Sequence, residues 1–124
     1  MPDAMTALPS FSLAGRRAIV TGSAGGLGSA IVAAFVAAGA DVVGADVSIE
    51  AAGDGTRSDG EHVQLQIDLC DRDAIAVVVE RSVEILGGVD ICVNCAGIGG
   101  RSPAISYGDD LWDRVLATNV SGSF

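Results

Sequence analysis

The stretch that most constrains this chain is residues 21–28, TGSAGGLG, in which four of eight residues are glycine. Glycine costs backbone entropy inside regular structure, so it gathers where the chain must take positive φ or let another group come close. Ahead of the loop stands the apolar run Ala18-Ile19-Val20, and behind it Ile31, Val32, Phe35 and Val36 are spaced for one face of a helix. A plain tight turn would account for the glycines alone. The flanking strand and helix add a second reading, because the first amides of a helix lack internal partners and point at an anion along the favourable end of the helix dipole. A P-loop needs a lysine followed by Ser or Thr after the last glycine. The chain has no lysine, its seven basic residues all being arginine. That leaves a dinucleotide-type loop, with Gly22 making the turn, Gly26 allowing a pyrophosphate to approach and Gly28 letting the helix pack on the strand.

A loop of that kind predicts an acid at the end of the next strand, about 20 residues on, to accept hydrogen bonds from an adenosine ribose. Asp46 stands there, after the apolar run 41–45 that reads as a buried parallel strand. A carboxylate at this point favours NAD and repels the extra phosphate of NADP, and Val47 and Gly25 place no positive charge beside it. An ordinary solvated strand-end acid is the alternative reading of Asp46 taken alone.

The remaining elements follow the same alternation. Strands are expected at 17–20, 41–45, 62–68 and 89–94, with Val63, Leu65 and Ile67 on one side of the third. Helices are expected at 26–38, from Asp71 or Asp73 through Leu86 with Ile75, Val78, Val79 and Val83 inward, and from about 109 with Leu111, Trp112, Val115 and Leu116 inward. Residues 48–61, SIEAAGDGTRSDGE, read as a loop or short irregular helix. The order is that of a Rossmann-type α/β fold, a doubly wound parallel sheet with strands one to four present. Residues 1–10 read as a flexible arm and 11–124 as one domain.

Sixteen acidic residues against seven basic ones give a formal charge of −9, so nucleic acid, whose binding needs clustered positive charge, is not expected as a partner. Residues 18–40 carry no charge, but glycines and hydroxyl residues break the segment, so a membrane span is not expected. The N-terminus lacks the pattern of a signal peptide. Cys70, Cys92 and Cys95 are an odd set, suited to a reducing cytoplasm. An extended Cys92-to-Cys95 step covers about 10 Å with the side chains on opposite faces, so small buried thiols are expected rather than a disulfide or a metal site. His62, the sole histidine, has no companion ligands near it in sequence and reads as a surface residue.

Four segments together resemble the classical short-chain dehydrogenases/reductases, over nearly all of residues 11–124. Thr21-Gly22, Gly26 and Gly28 match that family's TGxxxGxG. Asp68-Leu69 resembles its acidic pair at the adenine. Asn94-Cys95-Ala96-Gly97 resembles its NNAG with cysteine second, and Asn119-Val120 after Trp112-Asp113 matches its proton-relay asparagine. The resemblance implies NAD held by Gly22, Ser23, Gly26, Leu27, Gly28, Asp46, Asp68, Leu69, Asn94, Ala96 and Gly97, with Asn119 catalytic. It also implies a sheet order of 3-2-1-4, an alcohol or ketone as substrate, and a homo-oligomer for the complete protein. The family's Tyr-x-x-x-Lys has no counterpart, since the one tyrosine, Tyr107, is followed four residues on by Leu111. These 124 residues alone are therefore expected to be inactive. A nucleotide-binding module without catalysis, or a truncated inactive product, is the rival expectation.

Overall fold

The computed structural model describes residues 11–50, 56–59 and 62–124, with the backbone alone for 56–59. The expected N-terminal arm, 1–10, lies outside the described residues. The elements run β1 (Arg17–Thr21), α1 (Gly26–Ala37), β2 (Asp41–Asp46), β3 (Thr56–Asp59), β4 (His62–Gln66), α2 (Arg72–Leu86), β5 (Ile91–Val93) and α3 (Asp109–Leu116). A single 3₁₀ turn, Ala104–Ser106, precedes α3, which continues into a π turn at Ala117–Ser121.

The sheet order is β3-β4-β2-β1-β5. Its four parallel strands, β4-β2-β1-β5, stand in the expected 3-2-1-4 order. The departure is β3, an edge strand that pairs antiparallel with β4 from Thr56 opposite Leu65 to Asp59 opposite His62. Residues 48–61 are thus not all loop or irregular helix. The sequence TRSD there is short, polar and next to glycine, so nothing in its side-chain pattern announces a strand.

Alternation along the strands sends side chains to two layers. Ala18, Val20 and Val42 pack under α1 with Val32, while Val43, Ala45, Leu65 and Ile67 pack under α2 with Val78. Helix α1 ends where glycine can take φ +96° at Gly39, whose N–H donates to Val36 while that of Ala40 donates to Phe35. Helix α2 starts at Asp71, whose Oδ1 accepts the N–H groups of Asp73 and Ala74 at 3.0 and 3.1 Å. Its inward stripe differs from expectation. Val79 and Val83 are exposed, and Ser82 is buried beside Val78, its hydroxyl donating to the Val78 carbonyl at 2.7 Å. A serine that bonds its own helix four residues back satisfies its hydroxyl without a partner elsewhere, which hides it from a hydrophobicity pattern.

Trp112 and the cysteines also depart from expectation. Trp112 is 57% exposed and meets Tyr107 edge-on, with 6.5 Å between ring centroids, instead of entering the core. Cys70 and Cys92 are exposed and Cys95 half-buried, all free thiols. Cys92 lies on the edge strand β5, which pairs on one side only, with β1. No helix among the described residues is long and apolar enough to cross a membrane.

Candidate functional site

The chain leaves central strand β1 to one side, toward β2 and β4, and returns to β5 on the other. The carboxyl ends of β1 and β5 therefore flank a topological switch point, where open α/β sheets hold their ligands. Two loops meet there, the glycine turn after β1 and the segment Asn94–Gly97 after β5. Thr21 ties them together. Its Oγ1 accepts the N–H groups of Cys95 and Ala96 at 3.2 and 3.1 Å and donates to the Val93 carbonyl at 3.4 Å. The close packing explains the first glycine: Gly22 has φ +69°, and a Cβ on it would stand 2.8 Å from the Ala96 backbone.

Gly26 and Gly28 differ in the space around them. A Cβ on Gly28 would overlap the Gly22 carbonyl oxygen, so that position is what lets α1 start against the turn. A Cβ on Gly26 would meet nothing within 4 Å and would project into open cleft. The glycine turn closes with the Gly25 N–H donating to the Gly22 carbonyl at 3.1 Å, and within α1 the first amide to bond backward is that of Ser29, to the Gly25 carbonyl at 2.9 Å. The amides of Gly26, Leu27 and Gly28 ahead of it are the unpaired donors that a helix start presents.

These groups wall a cleft of about 480 Å³ along the carboxyl edge of the sheet. Of the residues singled out in the sequence, Gly22, Gly26, Leu27, Gly28, Asp46, Asp68, Leu69, Ala96 and Gly97 line it. Asp46 is bound into the loop, with Oδ2 accepting the Ala24 N–H at 3.0 Å and Oδ1 accepting the Ser48 N–H and hydroxyl at 2.9 and 2.8 Å. Partial burial works against its ionisation, but the bonds from Ser48 and Ala24 outweigh it and hold the carboxyl below its ordinary range. Three of its roughly four acceptor sites are in use, one of them by a rotatable hydroxyl that a ligand could replace. Asp68 closes a turn of its own, Oδ1 accepting the Cys70 N–H at 2.9 Å. A larger hollow of about 770 Å³ lies against α1, but its walls include neither Gly26 nor the Asn94–Gly97 segment.

Three assigned residues are placed otherwise. Ser23 is 1% exposed, its hydroxyl donating to Gln64 Oε1 at 2.7 Å, and it does not line the cleft. Its hydroxyl thus ties the glycine turn to β4, away from the cleft. Gly44 of β2 makes room for it, since a Cβ there would stand 2.7 Å from the Ser23 hydroxyl. Asn94 is exposed outside the cleft lining, with a distant bond from the Cys92 thiol at 3.8 Å. Asn119, in the π turn, pairs both ends of its amide with one residue: Oδ1 accepts the Ile98 N–H and Nδ2 donates to the Ile98 carbonyl, each at 2.8 Å. That amide fixes the loop after β5 against the end of α3. Sequence reasoning passed over Arg114 and Thr118, which α3 and its π turn bring to the cleft wall. Their helical spacing of four was the available signal.

The fold, with this cleft at the switch point of its sheet, is that of a Rossmann-type α/β protein. A family model described as short chain dehydrogenase matches residues 16–124, and the chain belongs to that family. It is 36% identical over 122 residues to a 2-dehydro-3-deoxy-D-gluconate 5-dehydrogenase of Pseudoalteromonas atlantica, covering 94% of this chain and 48% of that one. It is 34% identical to a D-threitol dehydrogenase of Mycolicibacterium smegmatis, covering 92% of this chain and 45% of the relative. Among solved structures, a dehydrogenase/reductase from Sinorhizobium meliloti superposes with a TM-score of 0.80 at 35% identity, over 93% of this chain and 48% of that one. A short-chain dehydrogenase/reductase from Serratia marcescens gives 0.77 at 29% identity, over 89% and 48%. The chain spans about half the length of the curated relatives it matches.

Proposed function

We propose that the cleft binds NAD and that the chain is the cofactor-holding part of an oxidoreductase that interconverts an alcohol and a ketone. The observation that carries this is the Asp46–Ala24 bond, which joins the acid suited to a ribose directly to the loop suited to a pyrophosphate. The open space at Gly26 and the amides at the start of α1 fit the diphosphate. Asp68 and Leu69 fit the adenine end, and Ala96 and Gly97 line the opposite end beside β5. Nicotinamide supplies or accepts the hydride when the cofactor is bound. An ionised Asp46 disfavours a phosphate on the ribose 2′ position, which supports NAD over NADP. The test is to titrate both cofactors into the full-length gene product and its Asp46→Ala variant. NAD should bind the unsubstituted protein more tightly, and the variant should lose most of that preference. Equal affinity for NADP in the unsubstituted protein overturns the ribose assignment.

A nucleotide-binding module without turnover is a second reading. It is favoured by an Asn119 amide committed at both ends to Ile98. NAD reduction assayed against a panel of secondary alcohols separates the two.

A further inference from the structure

Charge along the cleft is uneven. Asp46 and Asp68 contribute carboxylates to its wall, and among the described residues that line it Arg114 is the one basic side chain. The chain as a whole carries −9, so a dinucleotide diphosphate approaches against a repulsive field. Among the described residues no carboxylate forms an ion pair with Arg114.

Its position along the cleft follows from the elements. The sheet order sets β1, β2 and β4 side by side, so their carboxyl ends offer in turn the glycine turn, Asp46 and Asp68-Leu69. A dinucleotide with phosphates at the first and ribose at the second has its base at the third. Arg114 lies one helical turn before Thr118 and shares its face. Thr118 Oγ1 is 3.3 Å from the thiol of Cys70, two residues past Asp68. Arg114 and Thr118 are thus the wall that α3 sets opposite the end of β4. A guanidinium suits that place, because it is planar, remains charged at any working pH and can lie against an aromatic ring while its edge still donates.

We propose that Arg114 is a binding residue for the adenosine end of the dinucleotide, its guanidinium set against the base while Asp68 and Leu69 meet the base from β4. The inference rests on the dinucleotide reading of the cleft. The experiment is calorimetric titration of the full-length gene product and its Arg114→Ala and Arg114→Lys variants with NAD, AMP and nicotinamide mononucleotide. Arg114→Ala should weaken NAD and AMP by about 3- to 30-fold, the range of an exposed to a desolvated cation–ring contact, and leave nicotinamide mononucleotide unchanged. Arg114→Lys should recover only part of the loss, since it restores charge without the plane. Because Arg114 is exposed, the thermal midpoint of both variants should match the unsubstituted protein. AMP binding unaltered in Arg114→Ala overturns the inference, as does an equal loss for AMP and nicotinamide mononucleotide, which would mark a general charge effect. Full recovery by lysine overturns the stacking contact. An unsubstituted protein that binds neither NAD nor AMP instead overturns the dinucleotide reading on which the inference stands.

Discussion

Gly26 and Gly28 stand two residues apart, yet their substitution should fail in different ways. Gly26→Val puts a side chain into open cleft, so NAD binding should vanish from calorimetry while the circular dichroism spectrum and melting temperature hold. Gly28→Val drives a side chain into the Gly22 carbonyl, an overpacking that costs about 1–3 kcal/mol or more and should lower the denaturation midpoint itself. Asp90 offers a pH-dependent case. Side-chain and backbone bonds from Arg17 pull its carboxyl from 3.8 down to about 2. A depressed folded value means the stabilisation is complete above the ordinary value near 3.8 and drains away as pH falls toward about 2. In Asp90→Asn the acid-unfolding profile should flatten across that window, with no added change near neutrality from this group's titration. The residue roles legible in the sequence were those that act through absence of a side chain. Ser23 was not among them. A hydroxyl beside a glycine loop suits a ligand as well as it suits the half-buried Gln64, and the packing over Gly44 that accompanies its bond to Gln64 involves residues distant in sequence.

The helices and parallel strands were legible because each carries a signal within its own few residues. Glycines end α1 and α2, an aspartate caps α2, and β1 and β2 are apolar runs of the length buried strands take. What escaped depends on partners distant in sequence. Strand β3 exists through its bonds to β4, and the exposure of Trp112 reflects what does and does not pack on α3. Thr21 is the element-scale counterpart, since one hydroxyl positions the whole segment after β5. Thr21→Val keeps the shape of the side chain but leaves the half-buried N–H groups of Cys95 and Ala96 without their acceptor, at about 1 kcal/mol each, the low end of the cost of an unsatisfied buried group. The variant should melt lower, and the amides of residues 95 and 96 should exchange faster with solvent in a hydrogen-exchange measurement.

At the scale of the whole molecule, the sheet has two edges, the polar antiparallel β3 and the apolar β5, where Ile91, Cys92 and Val93 lie. Val89, Trp112, Leu116, Val120 and Phe124 are also exposed. An apolar, unpaired edge invites intermolecular pairing. Expressed as these 124 residues, the chain should aggregate and show no NAD reduction with secondary alcohols. A monodisperse monomer in light scattering that turns over an alcohol contradicts both expectations. The join between β1 and β5 adds a mechanical consequence. The strands share only three residue pairs, from Ala18–Ile91 to Val20–Val93. At one end Arg17 grips Asp90 and the Gly87 carbonyl, and at the other Thr21 grips Val93, Cys95 and Ala96. A strand riveted at both ends cannot peel away bond by bond. Pulled along its axis, β5 loads both rivets together, so its detachment under force should come as one abrupt event at a rate set by the unfolding barrier.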